Sequence, residues 1–296
     1  MDYSVIGKKI KEMRKVVGIT QKDLAEEICT QALISRIEKG DIYPSATTLY
    51  QIAIKLGVDV NYFFEIGTTP RLDYITEVEK QLRDLRTFRN YEEMMELIKT
   101  EEKNPLFYKD NEKLQLLYWH KGIYQFEVKK DPDMAFSLLD QAYHLTAHRK
   151  KAMSEREMQI LSSKGSVYFT LKNYDTTLHY YHQVENAIHK TGILQDKSIK
   201  TKLYYNIARV LTRKGELAQS TAYCKKAIKW CFSEELLWGI GELNYQIGYN
   251  YELDHKYEQA LNYFHRAMNM FELRNDAANI TFLTDKLKKL SGSIPT

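Results

Sequence analysis

Gln31, Ala32, Ser35 and Arg36 fall at i, i+1, i+4 and i+5 of one short helical stretch, on the side that its apolar residues leave free. Their types suit the edges of bases. Gln bonds adenine in two places, Arg does the same with guanine, Ser bonds either, and the Ala methyl can touch that of thymine. Gln21, Lys39 and Lys9 are candidates for phosphate contacts, Gln21 through both its amide and the backbone N–H at a helix start. A second set mixes cations, aromatic rings and amides: Lys202, Tyr205, Asn206, Arg209 and Arg213, with Arg83, Arg86, His120, Ser163, Ser166, Phe169, Tyr245, Gln246 and Tyr249. Asn206 and Gln246 can each offer a donor and an acceptor to one peptide unit of an extended chain, while the rings supply apolar walls. Lys202, Arg209 and Arg213 favour a carboxylate, from an acidic side chain or a free carboxy terminus.

Catalytic and metal chemistry find no comparable setting. The histidines His120, His144, His148, His179, His182, His189, His255 and His265 are scattered, no Gly-rich phosphate loop occurs, and no Ser or Cys sits in a nucleophile motif. His179 and His182 share a helix face at i, i+3, which could hold a metal but is far more often the spacing of a solvated or packed face. Cys29, Cys224 and Cys231 lack CxxC company, and the last two stand two helical turns apart, about 10 Å, beyond disulfide reach. No cofactor, metal or enzymatic activity is expected. A redox role for Cys224, for Cys231 or for Cys29, the last in the turn before the base-reading stretch, stays open.

The elements that must position the first set follow from spacing and punctuation. Ile6, Ile10, Met13 and Val17 recur at helical spacing until Gly18 stops them. Thr20 and Asp23 form a capping pair for a second helix carrying Leu24, Ala25 and Ile28, ending near Ile28. Thr30 caps a third from about Gln31 to Lys39, with Leu33, Ile34 and Ile37 inward and Gly40 at its end. Pro44-Ser45 opens a fourth helix with Leu49, Ile52, Ala53 and Leu56, and Val58 to Phe64 complete the core. Two short helices joined by a tight turn are a helix-turn-helix. Residues 1–67 hold nine basic and nine acidic side chains, five of the bases within the first fifteen residues, so this part is neutral with one basic edge.

Beyond residue 72 a short pattern returns five times, beginning at Asn90-Tyr91, Asp131-Pro132, Asn173-Tyr174, Glu216-Leu217 and Lys256-Tyr257, its second residues 41, 42, 43 and 40 apart. Small residues at Gly122, Gly165, Ala208 and Gly248 keep nearly the same period, which marks a solenoid. In the last unit Gly248, Tyr251, Ala260, Phe264 and Ala267 match the positions at which tetratricopeptide helices interlock, whereas the first has Leu82 where a small residue belongs. The resulting division is 1–67, a DNA-binding domain; 68–80, a connecting segment starting at Thr68-Thr69-Pro70; 72–275, five degenerate repeats at about 72–109, 114–150, 156–191, 199–231 and 241–273; and 276–296, a capping helix (Ala277 to Leu290) and tail. In such repeats the second chemical set lines the concave side of the first helices.

Composition agrees. With 44% hydrophobic residues, 28% charged, 13 Gly and 5 Pro, the 296-residue chain has apolar material for a core and few breakers, so an all-α fold is expected. The net charge of +4 alone argues for no partner. No stretch approaches the ~18 apolar residues of a membrane span, and the start lacks the sections of a signal peptide, so a cytoplasmic protein without a membrane partner is expected.

Thr20-Gln21, Leu24-Ala25, Ser35-Arg36-Ile37-Glu38-Lys39-Gly40 and Tyr43-Pro44-Ser45 resemble the lambda-repressor-like (XRE) DNA-binding domains over about residues 5–66. Together with a right-handed superhelical tetratricopeptide solenoid, and the Tyr204-Tyr205-Asn206 and Asn244-Tyr245-Gln246 neighbourhoods, the whole chain resembles the RRNPP quorum-sensing family of Gram-positive bacteria. The resemblance implies that the third helix enters the major groove of a palindromic double-stranded DNA, that Arg14 and Glu38 form a structural ion pair, and that the protein is a homodimer. It implies control by a short signalling peptide of about five to eight residues in the concave groove, and an activator's role with RNA polymerase as a further partner. The sequence departs from that family at Ser166, where an Asn is expected, and at Ala32. The alternative is a repeat protein that sequesters a response regulator or other partner, with DNA binding secondary, for which Gln81 is the candidate water-orienting amide.

Overall fold

The computed structural model describes residues 3–68, 71–147 and 152–291, and every element among them is an α-helix. Thr69, Pro70 and His148, and the tail beyond Ser291, lie outside the described residues. The chain divides into two compact units at Asn90/Tyr91.

The first unit contains α1 (Tyr3–Val17), α2 (Gln21–Ala25), α3 (Gln31–Lys39), α4 (Ala46–Leu56), α5 (Val60–Thr68) and α6 (Leu72–Thr87). Ile6, Ile10, Leu24, Ile34, Ile37, Leu49, Ile52, Ala53 and Phe63 form one closed core, drawn from the helical stripes read in the sequence. One boundary differs from expectation: α2 stops at Ala25 rather than near Ile28. Glu26 has ψ 130 and Glu27 has φ 63, so the chain leaves the helix early, and Ile28 packs on the core from the turn.

The second unit contains α7 (Tyr91–Glu101), a short α8 (Pro105–Tyr108), α9 (Asn111–Glu127), α10 (Pro132–His144), α11 (Glu155–Thr170), α12 (Tyr174–Thr191), α13 (Ser198–Arg213), α14 (Leu217–Ser233), α15 (Ile240–Leu253), α16 (Tyr257–Leu273) and α17 (Ala277–Ser291). α9/α10, α11/α12, α13/α14 and α15/α16 pack as hairpins, and α17 covers α16. The first helices also touch one another, α9 to α11, α11 to α13 and α13 to α15, so they line an inner surface and the second helices the outer one. Small residues permit the close hairpins. A Cβ added at Gly165 would lie 2.4 Å from the Tyr181 ring, and one at Gly248 2.7 Å from Phe264.

The turn inside each hairpin is built alike. Lys130 (φ 56), Lys172 (φ 59), Gly215 (φ 82) and His255 (φ 57) all adopt the left-handed conformation immediately before the N-cap of the second helix. The helices expected to pair as a first repeat, α6 and α7, belong to different units. Leu82, fully buried, occupies the place where the later hairpins carry Gly122, Gly165, Ala208 and Gly248.

Candidate nucleic-acid interface and ligand groove

α3 is fixed at both ends: the Thr30 side chain accepts from Leu33 N–H, and Gly40 closes the helix at φ 84. Ile34 and Ile37 are buried, which turns Gln31, Ala32, Arg36 and Lys39 outward and leaves Ser35 half-exposed. Among the described residues none of Gln31, Ser35, Arg36 and Lys39 has a side-chain hydrogen bond or ion pair, so their polar groups are available to a ligand.

What holds this face is a buried fork beneath it. Arg14 Nε donates to Glu38 Oε1 at 2.5 Å and Nη2 to Oε2 at 3.0 Å, while Nη1 donates to the Ile19 carbonyl at 2.9 Å. Burial pushes the Glu38 carboxyl up, but the hydrogen bonds from Arg14 and Gln21 outweigh it and hold its pKa below the ordinary value. The Arg14 pKa is raised by the same bond.

Two expected phosphate contacts are placed otherwise. The Gln21 amide donates to Glu38 Oε2 at 2.8 Å, so that side chain steadies α3 from below. Lys9 is half-buried, 3.3 Å from Glu12 and hydrogen-bonded to Tyr62, because α5 packs beside this turn of α1.

The inner surface of the second unit brings together part of the second set. Arg209 lies over Phe169 at 4.7 Å and Tyr205 at 5.7 Å, exposed and without a carboxylate partner among the described residues. Lys202 lies over Trp238 at 5.0 Å, Asn206 is half-buried with its amide unbonded among the described residues, and Arg213 is exposed. Tyr245 stacks with Tyr249 (6.3 Å, 4°), and burial pushes the Tyr245 hydroxyl up to about 12.

Other members are not available there. His120 is 1% exposed, its Nδ1 bonded to the Leu116 carbonyl at 2.9 Å and its ring against Trp119, because this part of α9 faces the core. Gln246 is buried and donates to Thr212 Oγ1 at 2.8 Å and Asn250 Oδ1 at 3.3 Å. Ser163 accepts from Trp119 and donates to the Gln159 carbonyl, and Ser166 donates to that of Ser162. Arg83 and Arg86 sit on α6, in the first unit. Gln81, also on α6, donates to Glu77 at 3.1 Å on the same helix, and nothing in its setting points to a phosphoaspartate.

The sequence matches a helix-turn-helix family over residues 10–63 and the RNPP family C-terminal domain over residues 79–289, most of the chain. The chain belongs to the RNPP family. No curated protein is similar enough in sequence to count as a relative. Among solved structures, Bacillus thuringiensis PlcR in complex with the peptide PapR7 and DNA superposes with a TM-score of 0.84 at 23% identity, covering 95% of this chain and 99% of that one. ComR from S. thermophilus with DNA and its signalling peptide ComS gives 0.67 at 18%, covering 97% and 99%. The Streptococcus dysgalactiae SHP pheromone receptor Rgg2 gives 0.61 at 15%, covering 96% and 99%. At these identities the likeness shows the fold.

Three inner-surface residues of this RNPP chain escaped the sequence reading. Phe282 of α17 meets Tyr245 edge-on at 5.6 Å, Lys286 lies 5.3 Å over Tyr249 while paired with Glu252 at 2.6 Å, and Trp238 backs Lys202. The signal was present in part: Phe282 and Lys286 are i, i+4 on a helix whose Leu283 and Leu290 face the core, which is a two-faced helix rather than a plain cap.

Proposed function

We infer that this RNPP chain is a DNA-binding transcriptional regulator controlled by a short peptide held on the inner surface of its repeats. The carrying observation is the pairing of two unsatisfied sets on a satisfied scaffold. Gln31, Ser35, Arg36 and Lys39 stand free on a helix clamped from beneath by Arg14, Glu38 and Gln21. Arg209 and Asn206 stand free on an aromatic surface formed by Phe169, Tyr205, Tyr245 and Tyr249. PlcR and ComR, whose fold the chain shares, were each crystallised with a peptide and DNA, which supports the same pair of ligands here.

The finer reading is a cytoplasmic homodimer on a palindromic duplex, an activator with RNA polymerase as a further partner, and a peptide whose acidic side chain or carboxy terminus meets Arg209. Two half-sites are needed because one such module makes few base contacts. No helix among the described residues is long and apolar enough to cross a membrane. Selection of bound duplexes from a random pool tests the DNA half: the protein enriches one palindrome and Arg36→Ala relaxes it at one base pair per half-site. Enrichment of no sequence would remove the regulator reading.

A further inference from the structure

The outer surface of the second unit carries a groove that neither the DNA reader nor the inner surface uses. It runs between α14 and α16 with α15 as its floor, holds about 490 Å³, and is lined mainly by Ile228, Phe232, Ile240, Ile247, Tyr263 and Met270; the floor's one polar side chain, Asn244, donates its amide to the Ile240 carbonyl, and Asn269 stands on α16. Phe232 is 68% exposed, an unusual state for a Phe on a second helix whose counterpart on α16, Glu272, is a carboxylate.

The rims are cationic. Lys225 borders the groove from α14 and Arg266 from α16, both exposed. On the other flank of α14, Lys226, Lys229 and Lys200 line a second, smaller cleft with Tyr204 and Trp230. Among the described residues none of these five cations has an ion-pair partner: Lys200 rests on the Trp230 ring at 4.0 Å, Lys226 on Tyr223 at 5.1 Å, and Arg266 bonds only Asn262 and rests on Tyr263 at 4.9 Å. Nearby carboxylates are engaged elsewhere, Glu234 by Lys197 and Glu185 by His182 and Tyr223.

We propose that this groove docks an acidic amphipathic helix of a partner protein. An apolar floor between two helices accepts the apolar stripe of a third, spaced i, i+3, i+4 and i+7. Carboxylates flanking that stripe meet Lys225 on one rim and Arg266 on the other, and the charge complementarity sets both orientation and partner sign. A nucleic-acid backbone fits less well, because phosphates would meet the rims and leave the apolar floor wet. Burying Phe232 and its neighbours supplies affinity, and the cations supply the choice.

The test uses the full chain and fluorescence anisotropy with a synthetic 18-residue helical peptide bearing a Leu stripe flanked by Glu. Its companions are the same peptide with Lys for Glu, a scrambled Glu peptide without the stripe, and an arbitrary 20-base-pair duplex. The expected result is saturable binding of the Glu-flanked peptide below about 100 µM, at least tenfold weaker binding of the two other peptides, and a duplex affinity set by the DNA reader. The double variant K225E/R266E then loses the Glu-flanked peptide and gains the Lys-flanked one, a reversal that misfolding cannot produce. Duplex affinity is expected to be unchanged in K225E/R266E, because the reader and not the groove binds DNA; the proposal is overturned by no saturable peptide binding, by equal binding of Glu- and Lys-flanked peptides, by an unaltered Glu-peptide affinity in the double variant, or by a duplex affinity that falls in it. A protein whose sedimentation shifts from dimer to monomer in that variant, with no peptide bound by either form, shows instead that a second copy covers the face and also overturns it.

Discussion

Asn250→Ala tests the description of how the last two hairpins are joined. The Asn250 amide donates to Ser220 Oγ at 2.8 Å and Thr221 Oγ1 at 3.1 Å, and its carbonyl accepts from Thr212 Oγ1 at 2.6 Å and Gln246 Nε2 at 3.3 Å. Four bonds at a net worth of about 0.5–1.5 kcal/mol each, with Ser220, Thr212 and Gln246 keeping other bonds and the half-buried Thr221 reached by water, give a loss of about 3 kcal/mol, or roughly a hundredfold in the folded-to-unfolded ratio. Because these bonds tie α14 and α13 to α15, the terminal hairpin should also uncouple, lowering the cooperativity of unfolding. Urea titration followed by tryptophan fluorescence reads this directly, since Trp119, Trp230 and Trp238 all lie in the second unit. Arg209→Ala, at an exposed inner-surface position, is the control and should stay within about 0.5 kcal/mol of the parent. A loss below about 1 kcal/mol for Asn250→Ala with an unchanged urea slope would refute the buried network as the joint.

Other expectations follow from the same geometry. Arg36→Ala should cost about 1–3 kcal/mol of operator affinity and relax one base position, whereas Lys39→Ala should weaken all duplexes alike and reduce the salt slope by about 1, both read by binding titration at several salt concentrations. Arg14→Met leaves Glu38 buried beside Gln21 alone and should destabilise the first unit by about 3–5 kcal/mol, read by hydrogen exchange of the Ile34 and Ile37 amides. The Glu38 pKa is lowered in the folded chain, so its contribution is complete above the ordinary carboxylate range and is lost as pH falls through its own lowered pKa; parental exchange protection should decline there, and Glu38→Gln should lack that component. Lys172→Gly, at φ 59 where the next hairpin already has Gly215, should raise stability by about 0.5 kcal/mol in thermal melts, the relief of a strained conformation exceeding the added freedom of the unfolded chain.

Helix order, the capping of α2 and α3, and the hairpin period were legible because each rests on local signals: Thr20 with Asp23, Thr30, Gly40, and small residues at a constant spacing. The Arg14–Glu38 pair came from the family resemblance, and its physical content, a fork shared with Gln21, became visible only with the helices in place. Gln246 and His120 were misjudged for one reason. Helical spacing gives a residue's angle about its own axis, but whether that angle meets open groove or the next helix depends on how far successive repeats rotate. At Gln246 the neighbouring Thr212 and Asn250 stand close enough to take its amide. Lys9 was lost to Glu12 and Tyr62 through packing of α5, another contact between residues distant in sequence. Phe282 was assigned to a cap because a last helix has only one obvious duty, covering its neighbour, while this one also turns a ring toward Tyr245.

The central claim is that one ligand on the repeats changes what the reader does on DNA. The direct measurement selects a palindrome with the purified protein at fixed salt, then titrates that duplex with and without a pool of short acidic and neutral peptides. The account predicts that at least one acidic peptide changes duplex affinity tenfold or more, about 1.4 kcal/mol of coupling, and that Arg209→Ala abolishes the peptide effect while duplex binding without peptide stays intact. An operator affinity that is the same at saturating bound peptide as without it would contradict the claim.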